Sequence, residues 1–170
     1  KGLWSGDERY LQEYWSTWEG LWDHGDWAQK DEDGFWFLHG RADDALNVAG
    51  RKVGPAEVEG VLTEHDAVTQ AAVVGVPDET TGTAVVAFVI PNPAYEPSEE
   101  LARELRELVG REQGKPFRPR GVHFVDDLPR TQSGKIIRRA VKSVAAGEDP
   151  GDLSSMENPA ALEGLRDELD

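Results

Sequence analysis

Hydrophobic and polar positions along this chain follow two periods, and the places where the period changes divide it into elements. Tyr10, Tyr14 and Trp18 recur every fourth position and share one helical face. With Trp4, Trp15 and Trp22 they make residues 1 to 22 an aromatic packing surface. Trp27-Ala28 and Phe35-Trp36-Phe37-Leu38 flank the turn-forming run Asp31-Glu32-Asp33-Gly34, the pattern of a hairpin with a strand on each side. Arg41 to Asp44 is a polar gap before the run Ala45 to Val48 and reads as a linker. Val48 to Val53, with Gly50 inside, reads as a short hairpin or a bulged loop. Pro55 in a first turn, followed by Glu57 and Glu59, opens a helix through Glu64.

Val68 to Val76 and Ala84 to Ile90 are Val- and Ala-rich in the manner of buried strands, joined by a turn at Pro77-Asp78-Glu79 and Gly82. Beyond a Pro-containing loop, Ser98 caps a helix from Glu99 to Glu112 with Leu101, Leu105 and Leu108 on its apolar face. Val122 to Val125 reads as a third strand and Thr131 to Gly134 as a polar loop. Lys135 to Val144 has helical spacing through Ile136, Ile137, Ala140 and Val144. A short helix is expected from Pro159, capped by Asn158. The fold class predicted is α+β: a short β-hairpin plus a three-stranded sheet packed with helices, in a βαββαβα-like order.

At 170 residues the chain has room for one core and its appendages. It starts at Lys1 without an initiator Met, which reads as a cut through a longer chain. No apolar run reaches the roughly 20 residues of a membrane span and no leader pattern is present, so a cytoplasmic protein is expected. Cysteine is absent, which excludes disulfides, thiolate metal sites and a cysteine nucleophile; any thiol chemistry must come from a substrate. A formal net charge of −15, spread along the sequence, sets the chain against nucleic acid and anionic membranes as partners.

Generic motifs add little. Gly134-Lys135 is not a phosphate loop, because Pro129 stands where the first glycine belongs and Ile136 where Ser or Thr belongs. His24, His39, His65 and His123 lie in separate segments without ligand spacing, so no metal centre is expected.

Three longer segments are informative together. They are Trp22-Asp23-His24-Gly25-Asp26-Trp27, the stretch from Asp31 to Glu59 containing Gly40-Arg41-Ala42-Asp43-Asp44-Ala45-Leu46-Asn47-Val48-Ala49-Gly50-Arg51-Lys52, and Leu128-Pro129-Arg130-Thr131-Gln132-Ser133-Gly134-Lys135-Ile136-Ile137-Arg138-Arg139. In this order they resemble the C-terminal signatures of the adenylate-forming superfamily: AMP-forming acyl-CoA synthetases, luciferases and peptide-synthetase adenylation domains. His24 departs from that pattern, where Thr is usual. The resemblance covers residues 14 to 160. It implies the small C-terminal domain of that superfamily at residues 43–146, preceded by the last segment of the large N-terminal domain at 1–42 and followed by a tail at 147–170.

The resemblance also implies roles. Asp26 matches a carboxylate that accepts hydrogen bonds from the ATP ribose hydroxyls. Arg41 matches an arginine that contacts ribose and phosphate oxygens, and Lys52 a basic position near the nucleotide phosphate. Asp43 matches the hinge between the two domains. Gly50 and Arg51 lie in a loop matching the one that lines the pantetheine tunnel of CoA. Lys135 matches the catalytic lysine of the adenylation step, whose ammonium bridges the acid and the α-phosphate. The arginines and lysines around it (Lys115, Arg118, Arg120, Arg130, Arg138, Arg139, Lys142) suggest a local reversal of sign suited to anionic ATP and CoA.

The implied chemistry converts a carboxylic acid, ATP and CoA into acyl-CoA, AMP and pyrophosphate through an acyl-adenylate. Mg2+ accompanies ATP, and its ligands are expected outside this chain. The missing N-terminal domain of the same chain is the implied partner of the aromatic face. Acetyl-CoA synthetases and related short-chain enzymes share the stretch around Arg41 and the ending from Gly151 to Pro159, which implies acetate or propionate. The readings set against this are the adenylation domain of another adenylate-forming enzyme and a non-catalytic interaction module.

Overall fold

The computed structural model describes Trp4 and residues 6–169. The chain divides into two compact units, Lys1–Asp43 and Asp44–Asp170. In the first unit, helix α1 (Asp7–Trp15) is followed by strands β1 (Asp26–Lys30) and β2 (Trp36–Arg41). The strands form an antiparallel hairpin that pairs Asp26 with Arg41 and shifts register between Trp27 and Ala28. The turn closes as its sequence requires: Asp31 accepts from the Phe35 N–H through its side chain, and Gly34 takes a positive φ. None of the described residues before Leu46 is buried.

The second unit begins with a small hairpin of β3 (Leu46–Val48) and β4 (Arg51–Val53), followed by α2 (Pro55–Thr63). Helix α2 starts where Pro55 presets φ and the Glu57 side chain accepts from the Gly54 N–H. Strands β5 (Val68–Asp78) and β6 (Gly82–Pro91) form a long antiparallel hairpin. Helix α3 (Glu99–Glu112), capped by the Ser98 hydroxyl, then crosses back to β7 (Gly121–Phe124), which pairs parallel with β6. The sheet order is β5-β6-β7, with β5 on one edge. Helices α4 (Arg138–Ala145) and α5 (Ala160–Asp167) complete the unit.

Because successive strand residues face opposite ways, the sheet carries a core on each face. Val73, Val85, Ala87 and Val89 pack with Leu46 and Val48 of the small hairpin and with Leu62 and Leu105 of α2 and α3. Ala72, Val74, Val86 and Phe88 pack with Leu128, with Val141 of α4 and with Leu162 and Leu165 of α5. Residues 159–167 are therefore part of the second core through Leu162 and Leu165. No helix among the described residues is long and apolar enough to cross a membrane.

Three local expectations are corrected. The helix expected from Lys135 begins at Arg138, because Ile136 pairs with Arg130 and the Ile137 N–H donates to the Pro129 carbonyl, which keeps 135–137 out of the helix. Trp18 lies beyond the end of α1, so the aromatic stripe runs from Tyr10 to Tyr14 and on to Trp22, with ring centroids 5.6 Å apart at each step. Asn158 does not cap α5 through its side chain. That amide donates to Asp127 and the Leu128 carbonyl and accepts from the Arg130 N–H at 2.9 Å, fastening the approach to α5 onto residues 127–130.

Candidate functional site

Three of the residues singled out in the sequence meet in the first unit. Asp26 and Arg41 are cross-strand partners at the end of the β1–β2 hairpin, and the Arg41 guanidinium stands 3.9 Å from the Asp26 carboxylate. Arg41 also donates to the His24 carbonyl at 3.0 Å and to the Asp43 carboxylate at 3.1 Å. The His24 ring contacts the other Asp26 oxygen. Gly25 has φ +74°, and a Cβ there would lie 2.7 Å from the Arg41 guanidinium, so both backbone sign and space call for glycine. The result is a half-exposed carboxylate beside an arginine fork, a set able to receive hydroxyl donors and anionic oxygens together.

The residues on either side of Asp43 are anchored in different units. The Ala42 N–H is held by the Gly25 carbonyl at 2.9 Å in the first unit, whereas the Asp44 carboxylate is held by Arg138 in the second.

Gly50, Arg51 and Lys52 lie together on the small hairpin. Ala49 (φ 49°) and Gly50 (φ 78°) form its two-residue turn, both with positive φ, the conformation that matches the twist of paired strands. Arg51 packs over the Phe117 ring, its guanidinium carbon 5.7 Å from the centroid, while Lys52 is exposed. The turn is braced from β5–β6: the Ala49 N–H donates to the Thr81 carbonyl at 3.0 Å. Thr81 is fixed in turn by Asp78, whose carboxylate accepts from the Thr81 N–H and hydroxyl and the Thr80 N–H and pairs with Arg120. These hydrogen bonds, the Thr81 N–H first among them, hold the Asp78 pKa down at about 2 against an ordinary 3.8.

Lys135 stands on a separate loop. The Thr131 N–H donates to the Lys135 carbonyl at 2.9 Å, the Lys135 N–H returns to the Thr131 hydroxyl at 3.2 Å, and Gly134 (φ 80°) turns the chain between them. The Lys135 side chain is exposed. The loop leads through Ile136 and Ile137 into the core beneath α4, on the sheet face opposite the one that holds the small hairpin.

The arginines of the basic stretch expected around Lys135 are engaged with acids and carbonyls. Arg118, Arg120, Arg130 and Arg138 are paired with Glu107, Asp78, Asp127 and Glu59, and Arg139 donates to the carbonyls of Pro150 and Asp152. Sequence reading also missed a cluster made by Asp44, Glu59 and Arg138. Arg138 donates to both Glu59 oxygens at 2.8 Å and reaches Asp44 at 3.4 Å, and Glu59 accepts from the Val73 N–H at 2.9 Å. Burial opposes the Arg138 charge, but Glu59, with Asp44, more than offsets this and raises its pKa above the ordinary value. Partners 79 and 94 positions apart leave no signal in a single sequence.

Residues 57–135 match the AMP-binding enzyme C-terminal domain. It is 46% identical to acetyl-coenzyme A synthetase of Methanothrix soehngenii over 97% of this chain and 25% of that protein. It is 42% identical to 3-hydroxypropionyl-coenzyme A synthetase of Sulfurisphaera tokodaii over 97% of this chain and 25% of that protein. The crystal structure of the anthranilate CoA ligase AuaEII in complex with anthranoyl-AMP superposes with a TM-score of 0.73 and 38% identity, over 85% of this chain and 28% of that one. The chain thus spans about a quarter of the length of the curated relatives it matches.

Proposed function

We propose that this chain is the mobile C-terminal part of an AMP-forming acyl-CoA synthetase that activates a short-chain acid such as acetate or propionate. The acid attacks the α-phosphorus of ATP to give acyl-AMP and pyrophosphate, and the CoA thiol then displaces AMP. The observation that carries the reading is the placement of the Lys135 loop and the Gly50 turn on opposite faces of one sheet, in a unit that begins directly after Asp43. Rotation about a single residue would exchange one loop for the other at a fixed substrate site.

In this scheme the Lys135 ammonium serves the first step, stabilising charge as it shifts between the acid and the α-phosphate. The Gly50 turn and Arg51 border the pantetheine arm in the second. Asp26 takes the ribose hydroxyls, Arg41 the neighbouring oxygens, and Lys52 the nucleotide phosphate. The relatives' names, acetyl- and 3-hydroxypropionyl-coenzyme A synthetase, support a short acid. Mg2+ would enter with ATP, with its protein ligands on the preceding domain. The exposed aromatics of the first unit would pack on the preceding N-terminal domain, which would carry the acyl pocket. The proposed compartment is the cytoplasm, where ATP and CoA are available.

The hinge is tested by Asp43→Pro in the full-length enzyme, since proline fixes φ at the junction. With the adenylation arrangement as the resting one, acyl-AMP formation should be largely retained and thioester formation slowed. Equal losses in both half-reactions contradict a hinge at Asp43.

A further inference from the structure

The Asp44, Glu59 and Arg138 cluster sits at an unusual place in the fold. Strand β5 is a sheet edge, and its Val73 N–H is satisfied by the Glu59 carboxylate of α2 instead of by another strand. Helix α2 belongs to the core layer on one face and α4 to the layer on the other, so the bidentate Glu59–Arg138 pair closes around the open edge and joins the two layers. Asp44, the first residue after the junction at Asp43, joins the same guanidinium. Side-chain exposures of 14% for Glu59, 23% for Asp44 and 25% for Arg138 place the cluster largely out of water, where a paired guanidinium is held in one geometry.

Each layer carries one of the two candidate loops. The Gly50 turn is fixed independently by Leu46, Val48 and Val53 in its core and by Thr81 at its tip. The Lys135 loop is held by its bonds to Thr131, by the bridges Arg130–Ile136 and Thr131–Met156 and by the Ile137 N–H, and then by Arg138, the first residue of α4, three positions beyond the lysine. Arg138 is the point where this exposed loop is tied by charge to the opposite layer and to the start of the unit.

We propose that the Asp44–Arg138–Glu59 clasp is a positioning device for Lys135: it holds the lysine loop in register with the pivot, so that rotation of the unit delivers the ammonium to the reacting atoms. The proposal rests on the reading of Lys135 given above. Arg138 and its partners are positioning residues and touch no substrate. Misplacement of a catalytic group by about 1 Å costs up to about 100-fold in rate, so loosening the clasp should be read in the adenylation step alone.

The experiment compares Glu59→Gln with the unmodified full-length enzyme. Glutamine keeps an acceptor for the Val73 N–H while removing the charge that holds Arg138. Acyl-AMP formation is followed by pyrophosphate exchange with acetate and ATP, and thioester formation by single turnover of supplied acetyl-AMP with CoA. The expected result is adenylation kcat lower by about 10-fold or more, with KM for ATP and the thioester step within about 2-fold. Asp44→Asn, which leaves Glu59 and Val73 paired, should show the same split at smaller size, about 3-fold, and serves where Glu59→Gln fails to fold. A purely structural role lowers both half-reactions by one common factor, and that result overturns the proposal, as does no change in either variant. Lys135→Ala in the same assays separates the two claims. If it spares adenylation, the reading of Lys135 itself falls; if it abolishes adenylation while neither clasp variant splits the steps, only the clasp is wrong.

Discussion

The two units are built from similar proportions of apolar text, yet only one of them uses it internally. In residues 44–170, Val, Leu and Phe alternate with the strand period and meet helices on both sheet faces, and Leu62, Leu105, Phe88 and Leu165 are completely covered. In residues 1–43 the larger side chains fare differently: Trp18, Phe35, Trp36 and Leu38 expose more than 60% of their surface. A hairpin of two strands and one helix of nine residues, the elements described there, cannot enclose a core of its own. The lesson is that hydrophobic residues report a demand for burial, and only the topology tells whether the demand is met within the chain.

Substitution separates the units most sharply. Leu105→Ala empties a site at the centre of one core and should cost about 3 to 5 kcal/mol, read as a loss of denaturation midpoint in this chain. Trp36→Ala, with two-thirds of its surface in water, should change stability by no more than about 0.5 kcal/mol in the same measurement. In the full-length enzyme the Trp36 substitution should become costly, by about 2 kcal/mol or more, if the preceding domain covers that face. A large Trp36 effect in this chain alone would break the contrast.

A smaller effect probes how the second unit braces its glycine turn. The Asp78 pKa of about 2 lies below the ordinary 3.8, so the ionised form is favoured in the folded state. A depressed pKa gives stability that is fully present above the unfolded value and is lost as pH falls through the folded one. Asp78→Asn should therefore lower the melting temperature at pH 7, and the difference should shrink as pH drops from about 4 toward 2. A gap that stays constant across that range would assign the effect to shape alone.

Much of this was legible in the sequence because its signals are local. Turn chemistry at Asp31 to Gly34, the Ser98 cap and the Val-rich runs at 68–76 and 84–90 each specify their element within a few residues. The two-positive-φ turn at Ala49-Gly50 was visible only as a choice between a hairpin and a bulge, since alanine gives no hint of a left-handed position. The start of α4 was misjudged because Ile136 and Ile137 fit helical spacing equally well; a bridge to Arg130 decides their conformation. Arg118, Arg120 and Arg138 read as a local reversal of sign, whereas their carboxylate partners come from α3, the end of β5 and α2. The clasp at the sheet edge was beyond reach for the same reason.

The central claim is that one loop of the second unit, carrying Lys135, acts in the first half-reaction and not in the second. Single-turnover kinetics of Lys135→Ala in the full-length enzyme test it directly, with acyl-AMP formation and thioester formation from supplied acyl-AMP measured side by side. Loss of an ammonium that stabilises developing charge in a water-poor site should slow acyl-AMP formation by about 100- to 1000-fold, roughly 3 to 4 kcal/mol, while thioester formation changes by no more than a few-fold. Adenylation that survives within a few-fold, or a common fall in both steps, would contradict the assignment.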